Sequence, residues 1–106
     1  MATYTVTRPS KRSPSHPGLL LREILDDHVR LPIATAARRM GVSRPALYAV
    51  LAGKSAVTAD MALRFAALVQ GEAELYLHMQ ARHDLWHAQA RLSSVLPGIE
   101  RAEIAA

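Results

Sequence analysis

The sequence predicts an all-α protein of five helices organised around a helix-turn-helix. Three observations carry this. Apolar residues return at spacings of three and four in successive segments, a Gly41-Val42-Ser43 junction stands between two of those segments, and the last long segment is apolar on two adjoining faces. With 106 residues, half of them hydrophobic, the chain suits one domain with one modest core. The expected division is a flexible basic arm over 1–15, the helix-turn-helix and dimerisation domain over 16–92, and a tail over 93–106.

Residues 1–15, MATYTVTRPSKRSPS, hold two prolines and no helical period, so they are expected to be disordered. His16-Pro17-Gly18 then punctuates the start of the domain. Leu20, Leu21, Ile24, Leu25 and His28 repeat at three and four and define a first helix of about ten residues. Ile33, Ala36, Ala37 and Met40 place one apolar face on a second, short helix. Pro32 stands at its cap in place of Ser, Asn or Asp, a loss of about 1 kcal/mol. Gly41 ends it in the left-handed conformation, and Val42 packs back on the turn. Ser43 caps the third helix, with Pro45 in the first turn where a missing N–H costs nothing. That helix buries Leu47, Val50 and Leu51 and closes at Gly53. Two helices joined so tightly must cross steeply, and Ala37 is the small residue at their approach.

Thr58 caps a fourth helix, Ala59 to Val69, with Asp60 near its positive end. Met61, Ala62, Phe65, Ala66 and Val69 are its buried face, and Gly71 lies past its end. The fifth and longest helix runs from Glu74 to about Leu92. One apolar row is Leu75, Met79, Arg82, Trp86 and Ala90; the other is Leu77, Ala81, Leu85, Ala88 and Leu92. That is more apolar surface than one small core can take, so one face is expected on its own domain and the other on a second copy. Leu77, Ala81, Leu85, Trp86 and Ala88 are the expected dimer contacts.

The formal net charge is +4, and its distribution says more than its size. From His28 to Ala59 the chain carries Arg30, Arg38, Arg39, Arg44 and Lys54 and no acid. Arg8, Lys11, Arg12 and Arg22 are likewise unopposed in the first 22 residues, whereas acids prevail from Asp60 onward. A basic helix-turn-helix joined to a mildly acidic second half is the layout of a polyanion reader with a separate assembly surface. The absence of cysteine excludes disulfides and thiolate zinc sites. No apolar run is long enough to span a membrane and no basic-then-apolar signal opens the chain, so a soluble, cytoplasmic protein is expected. No glycine-rich phosphate loop, nucleophile triad or carboxylate pair stands out, so no enzyme and no cofactor are expected. His83-Asp84-Leu85-Trp86-His87 does place two imidazoles at the helical spacing of a zinc protease pair. It has Asp where the catalytic Glu belongs and no third ligand in view, so no metal is expected either.

Several segments in order are recognisable: His16-Pro17-Gly18 with Leu21-Arg22-Glu23; AARRMGVSR; Ala52-Gly53-Lys54; Val57 to Arg64; and Leu75 to Gln80 running into Asp84-Leu85-Trp86. Together they resemble the HigA-type antitoxins, helix-turn-helix proteins of the large repressor-like (lambda repressor-type) family. The match covers roughly residues 16–91. The resemblance implies a homodimer that binds a palindromic operator, represses its own operon, and neutralises a HigB-like toxin, an mRNA-cleaving partner of the RelE fold. It also implies that Ser43, Arg44, Pro45 and Ala46, with Tyr48 and Ala49 one turn on, face the major groove of double-stranded DNA, and that Arg38, Arg39 and Lys54 meet phosphates. The chain departs from the family pattern at Pro32-Ile33, where many relatives have a polar pair, and at Tyr76, where Trp is common. Pro45, Ala46 and Ala49 also replace larger polar readers, which leaves Arg44 as the main base-reading side chain. A solitary helix-turn-helix regulator without a toxin shares all these residues and is the alternative. A fold that had lost DNA binding should have lost its basic bias.

Overall fold

The computed structural model describes residues 13–105, which form five α-helices, a π-helical turn and a short 3-10 turn, with no strand among them. Helix α1 spans Pro17–Glu23, α2 Ile33–Met40, α3 Arg44–Leu51, α4 Ala59–Val69 and α5 Ala73–Arg91. Of the arm expected over 1–15, residues 1–12 lie outside the described residues. Ser13 is placed against α5, its hydroxyl 3.1 Å from His87 Nε2.

Side-chain caps begin three of the helices. His16 accepts from the Gly18 amide, Ser43 from Ala46 and Thr58 from Met61. Ser43 and Thr58 match expectation. His16 does not: the triplet His16-Pro17-Gly18 is the cap and first turn of α1 itself, and Pro17 and Gly18 are buried. Helix α2 starts on Pro32 without a side-chain cap, as its sequence implies.

The far end of α1 also differs. Its three-and-four spacing puts His28 on the apolar face, yet His28 is exposed. The cause is a π-helical turn over Ile24–His28, in which the Val29 amide reaches back to the Ile24 carbonyl at 2.9 Å. The wider turn holds an extra residue and swings Asp26, Asp27 and His28 off the core side. Arg30, in the left-handed region at φ 52°, then redirects the chain toward α2.

The core is continuous from α1 to the start of α5. Leu21, Leu25, Leu47, Ala62 and Phe65 are fully buried, and the Phe65 and Tyr76 rings meet edge to face with centroids 5.6 Å apart. Met61, Ala62 and Phe65 of α4 are buried as expected, while Ala66 and Val69 pack at its margin. The left-handed residue that ends α4 is Gln70 (φ 58°), not Gly71. Gly71 is small for another reason, since the Tyr76 hydroxyl leaves no room for a Cβ.

Helix α5 meets the domain along a stripe between the two expected rows. Its buried residues are Tyr76 and Gln80, with Ala73 and Leu77 packed beside them, while Leu75 and Leu85 are 47% and 61% exposed. A glutamine is buried there because both ends of its amide are used. Oε1 accepts from the Val57 amide at 2.8 Å and Nε2 donates to Asp84 at 2.9 Å. Beyond Arg91 the tail turns through a short 3-10 segment, Leu96–Gly98, with Val95, Leu96 and Ile99 exposed. Among the described residues, no helix is long and apolar enough to cross a membrane.

Candidate nucleic-acid interface

Helices α2 and α3 make the expected helix-turn-helix. Gly41 takes φ 74°, its amide donates to the Arg38 carbonyl, and the Val42 amide donates to that of Ala37, which satisfies the end of α2. Ala37, 1% exposed, is the small residue at the crossing.

An unexpected residue completes that turn. Arg64 of α4 donates from Nη1 to the Met40 carbonyl at 2.8 Å, and its Nε is ion-paired with Asp60 one turn earlier. A Cβ on Gly41 would come within 2.9 Å of Nη1, so the glycine serves the arginine as well as the backbone. The sequence signal was the i, i+4 pair Asp60 and Arg64, which reads as a routine helix-surface pair. Nothing local reveals that the guanidinium reaches the end of another helix.

Burying Leu47, Val50 and Leu51 orients α3 and turns Arg44, Pro45, Ala46 and Tyr48 outward. Tyr48 is 50% exposed, an aromatic ring standing in solvent one turn after Arg44. Ser43 is exposed; its oxygen accepts from the Ala46 amide at 3.1 Å, which leaves its O–H and a second lone pair for a partner. Ala49 is half-buried, and its carbonyl accepts from both Lys54 and Ser55, folding the chain back as it leaves α3. Lys54 is thereby exposed at the opposite end of α3 from Arg44.

Arg38 and Arg44 line one shallow groove with Ala34, Thr35, Ala37 and Val42. Arg39 lies elsewhere, in a second groove with Met40, Arg64, Ala67 and Leu68 beside α4. The three arginines of the turn therefore divide between two sides. No carboxylate from the α2–α3 segment tempers this surface, and the first acid after it, Asp60, is engaged by Arg64.

The first turn of α1 seats the exit of α3. Gly18 lies against the Val50 carbonyl so closely that no Cβ fits between them. On α5, Ala81 and Leu85 are exposed, Trp86 and Ala88 are half-buried, and Leu77 packs on the domain's own core. Trp86 meets the His87 ring edge to face. His83 and His87 lie with ring centroids 4.4 Å apart, but among the described residues no three His, Asp or Glu side chains converge as metal ligands.

No family model matches the sequence. Virulence-associated protein A' of Dichelobacter nodosus is 36% identical over 75 residues, 70% of this chain but 64% of that protein, so the chain spans just under two thirds of this relative. Among solved structures, antitoxin GraA superposes with a TM-score of 0.77 at 30% identity, covering 86% of this chain and 99% of that one. GraA in complex with its operator gives 0.76 at 30% identity, over 91% and 97%. An addiction module antidote protein of a HigA family from Coxiella burnetii gives 0.76 at 25% identity, over 87% and 100%.

Proposed function

The chain belongs to the HigA-type antitoxins, and from that premise we propose that it is a DNA-binding antitoxin that, as a homodimer, represses its own operon and neutralises a HigB/RelE-like toxin. The observation that carries the DNA half is the outward side of α3. Arg44 and Tyr48 are exposed there, with Arg38 in the groove beside Arg44 and no acid between His28 and Ala59. A related fold, that of GraA, has been solved on its operator.

In this reading the first turn of α3 enters the major groove. Arg44 donates a bidentate pair to guanine, and Pro45 and Ala46 offer apolar contact to a thymine methyl. Tyr48 and Ala49 lie one turn deeper, with the half-buried Ala49 contributing least. Ser43 donates to a phosphate, Arg38 and Lys54 neutralise phosphates at the two ends of α3, and Arg39 meets the backbone from its separate groove. So few polar readers make the protein depend on phosphate contacts and DNA shape. Two copies would join through Ala81, Leu85, Trp86 and Ala88, with Leu77 at the inner margin, and a dimer reading one palindrome would set its recognition helices about 34 Å apart, one turn of DNA.

Co-expression tests the toxin half. The untagged chain is produced with the small open reading frame beside its gene carrying a tag, and the frame is also expressed alone. Co-elution together with growth arrest by the frame alone is the expected result. Clean separation and a harmless neighbour would instead identify a solitary regulator.

A further inference from the structure

We infer that Arg64 is a positioning residue for DNA recognition: reaching over from α4, it fixes the entry of α3, so that Arg44 meets a base edge at a set angle and depth. The inference rests on the DNA-binding reading above, with Arg44 as the base reader.

Helix α3 is mounted at two points. At its exit, Gly18 of α1 lies against the Val50 carbonyl with no room for a Cβ between them. At its entry, Gly41, Val42 and Ser43 alone separate the end of α2 from Arg44. The bonds from the Gly41 and Val42 amides to Arg38 and Ala37 close that turn on α2 itself. Arg64 ties it to a different helix, 24 residues away in sequence. Its Nη1 donates to the Met40 carbonyl at 2.8 Å and lies 3.5 Å from the Gly41 carbonyl, so one guanidinium spans two successive carbonyls. A helix end leaves such carbonyls without intrahelical partners, and the helix dipole favours a cation there.

The support is stiff at its base. Phe65, the next residue of α4, is fully buried and anchors the backbone, and Asp60 one turn earlier holds the Arg64 Nε. Nε and Nη1 are thus both engaged inside the protein. Arg64 therefore has little left for a phosphate, although it lines the same groove as Arg39.

The functional consequence depends on which end of α3 each contact holds. Without the entry mount, the first turn of α3 is free to pivot about its seat at Val50. Arg44 stands roughly 9 Å along the axis from that seat, so a small rotation carries its guanidinium off line. A bidentate pair to guanine needs both nitrogens aligned and fails under such a swing. Lys54 lies past the exit and acts on a phosphate as a point charge, so it is little affected. Loss of Arg64 should reach base reading and spare the phosphate contacts.

The test uses the full chain with Arg64→Met, which keeps an unbranched side chain and removes its donors. Affinity is titrated over a salt series for a duplex from the region upstream of its own gene and for a random duplex of equal length. A protein that is merely less stable loses both DNAs in proportion, so the ratio of the two affinities is the readout. That ratio should fall roughly three- to thirtyfold, with the random duplex bound within about twofold of the parent and its salt slope unchanged. On an Arg44→Ala background the same change should lower the ratio by less than about twofold, because the side chain it positions is already gone. Should Arg64→Met not fold, Asp60→Ala carries the test, since it is an exposed substitution that frees Nε and should lower the ratio by roughly two- to fivefold. An unchanged ratio in the folded variant overturns the inference. Equal losses on both duplexes, with the salt slope reduced by about one, would make Arg64 a phosphate contact and overturn it as well. Losses that add in full to those of Arg44→Ala would overturn it too, because Arg64 would then not act through Arg44. A parent protein that prefers neither duplex overturns the DNA-binding reading instead, and the positioning role falls with it.

Discussion

Helix α4 buries Met61, Ala62 and Phe65 within 11 residues, whereas α5, with 19 residues, buries only Tyr76 and Gln80. The same contrast separates the two halves of the molecule. Helices α1, α3 and α4 start on side-chain caps, the turn between α2 and α3 is closed by backbone and by Arg64, and Leu21, Leu25, Leu47, Leu51 and Phe65 pack into one core, although Leu19 and Leu63 stay exposed. Helix α5 starts on Glu72 without a side-chain cap, and it and the following tail hold Leu75, Leu85, Val95, Leu96 and Ile99 in solvent. The apolar residues left exposed on α5 and in the tail are where the proposed contact with a second copy would lie.

That contrast can be broken at either end. Phe65→Ala removes a fully buried ring and its edge-to-face partner contact with Tyr76, and should cost about 3–5 kcal/mol, measured by denaturant unfolding. A loss below about 1 kcal/mol would mean that the core does not hold the domain together as described. Leu85→Asp should do the opposite. The residue is 61% exposed, so monomer stability should stay within about 0.5 kcal/mol. If α5 joins two copies, association should weaken by about 2–4 kcal/mol, visible as a monomer in sedimentation. A dimer indifferent to Leu85→Asp would move the interface elsewhere, with the tail as the next candidate.

The two halves also differed in how far the sequence revealed them. Gly41, Ser43, Thr58 and the limits of α4 follow from interactions within four residues, and each was foreseen in its role. The π turn at Ile24–His28 was not, because it depends on which residues the rest of the domain leaves room to bury. Arg64 capping α2 and Gln80 holding Val57 are bonds across 24 and 23 residues, and no local pattern distinguishes such a side chain from a solvated one. The buried face of α5 was misplaced for the same reason. Leucine and alanine counts favour the rows through Leu75 and Leu85, yet the domain grips Tyr76 and Gln80, whose polar atoms become tolerable only once partners are in place. On the exposed side of α3, the outward positions of Arg44, Pro45, Ala46 and Tyr48 follow from the buried Leu47, Val50 and Leu51. The separation of Arg39 from Arg38 was not visible, since neighbouring residues on a helix diverge by an angle whose consequence depends on where α4 lies.

The smallest effects discriminate within the basic half itself. Arg44 stands at the start of α3 beside Arg38, and Lys54 stands past its end in a loop held by backbone bonds to Ala49. If Arg44 reads a base edge and Lys54 only a phosphate, their alanine variants should fail in different ways. Arg44→Ala should lose about 1–3 kcal/mol on the operator, with the preference relaxed at one position of each half-site and less lost on random DNA. Lys54→Ala should weaken operator and random DNA alike and reduce the slope of log affinity against log salt by about one. Binding titrations on both DNAs over a salt series measure the two together. Equal losses on the two DNAs for Arg44→Ala would remove it as a reader and shift specificity to Tyr48, the other exposed side chain of α3 large enough to reach a base. An unchanged salt slope for Lys54→Ala would detach loop 53–57 from the DNA.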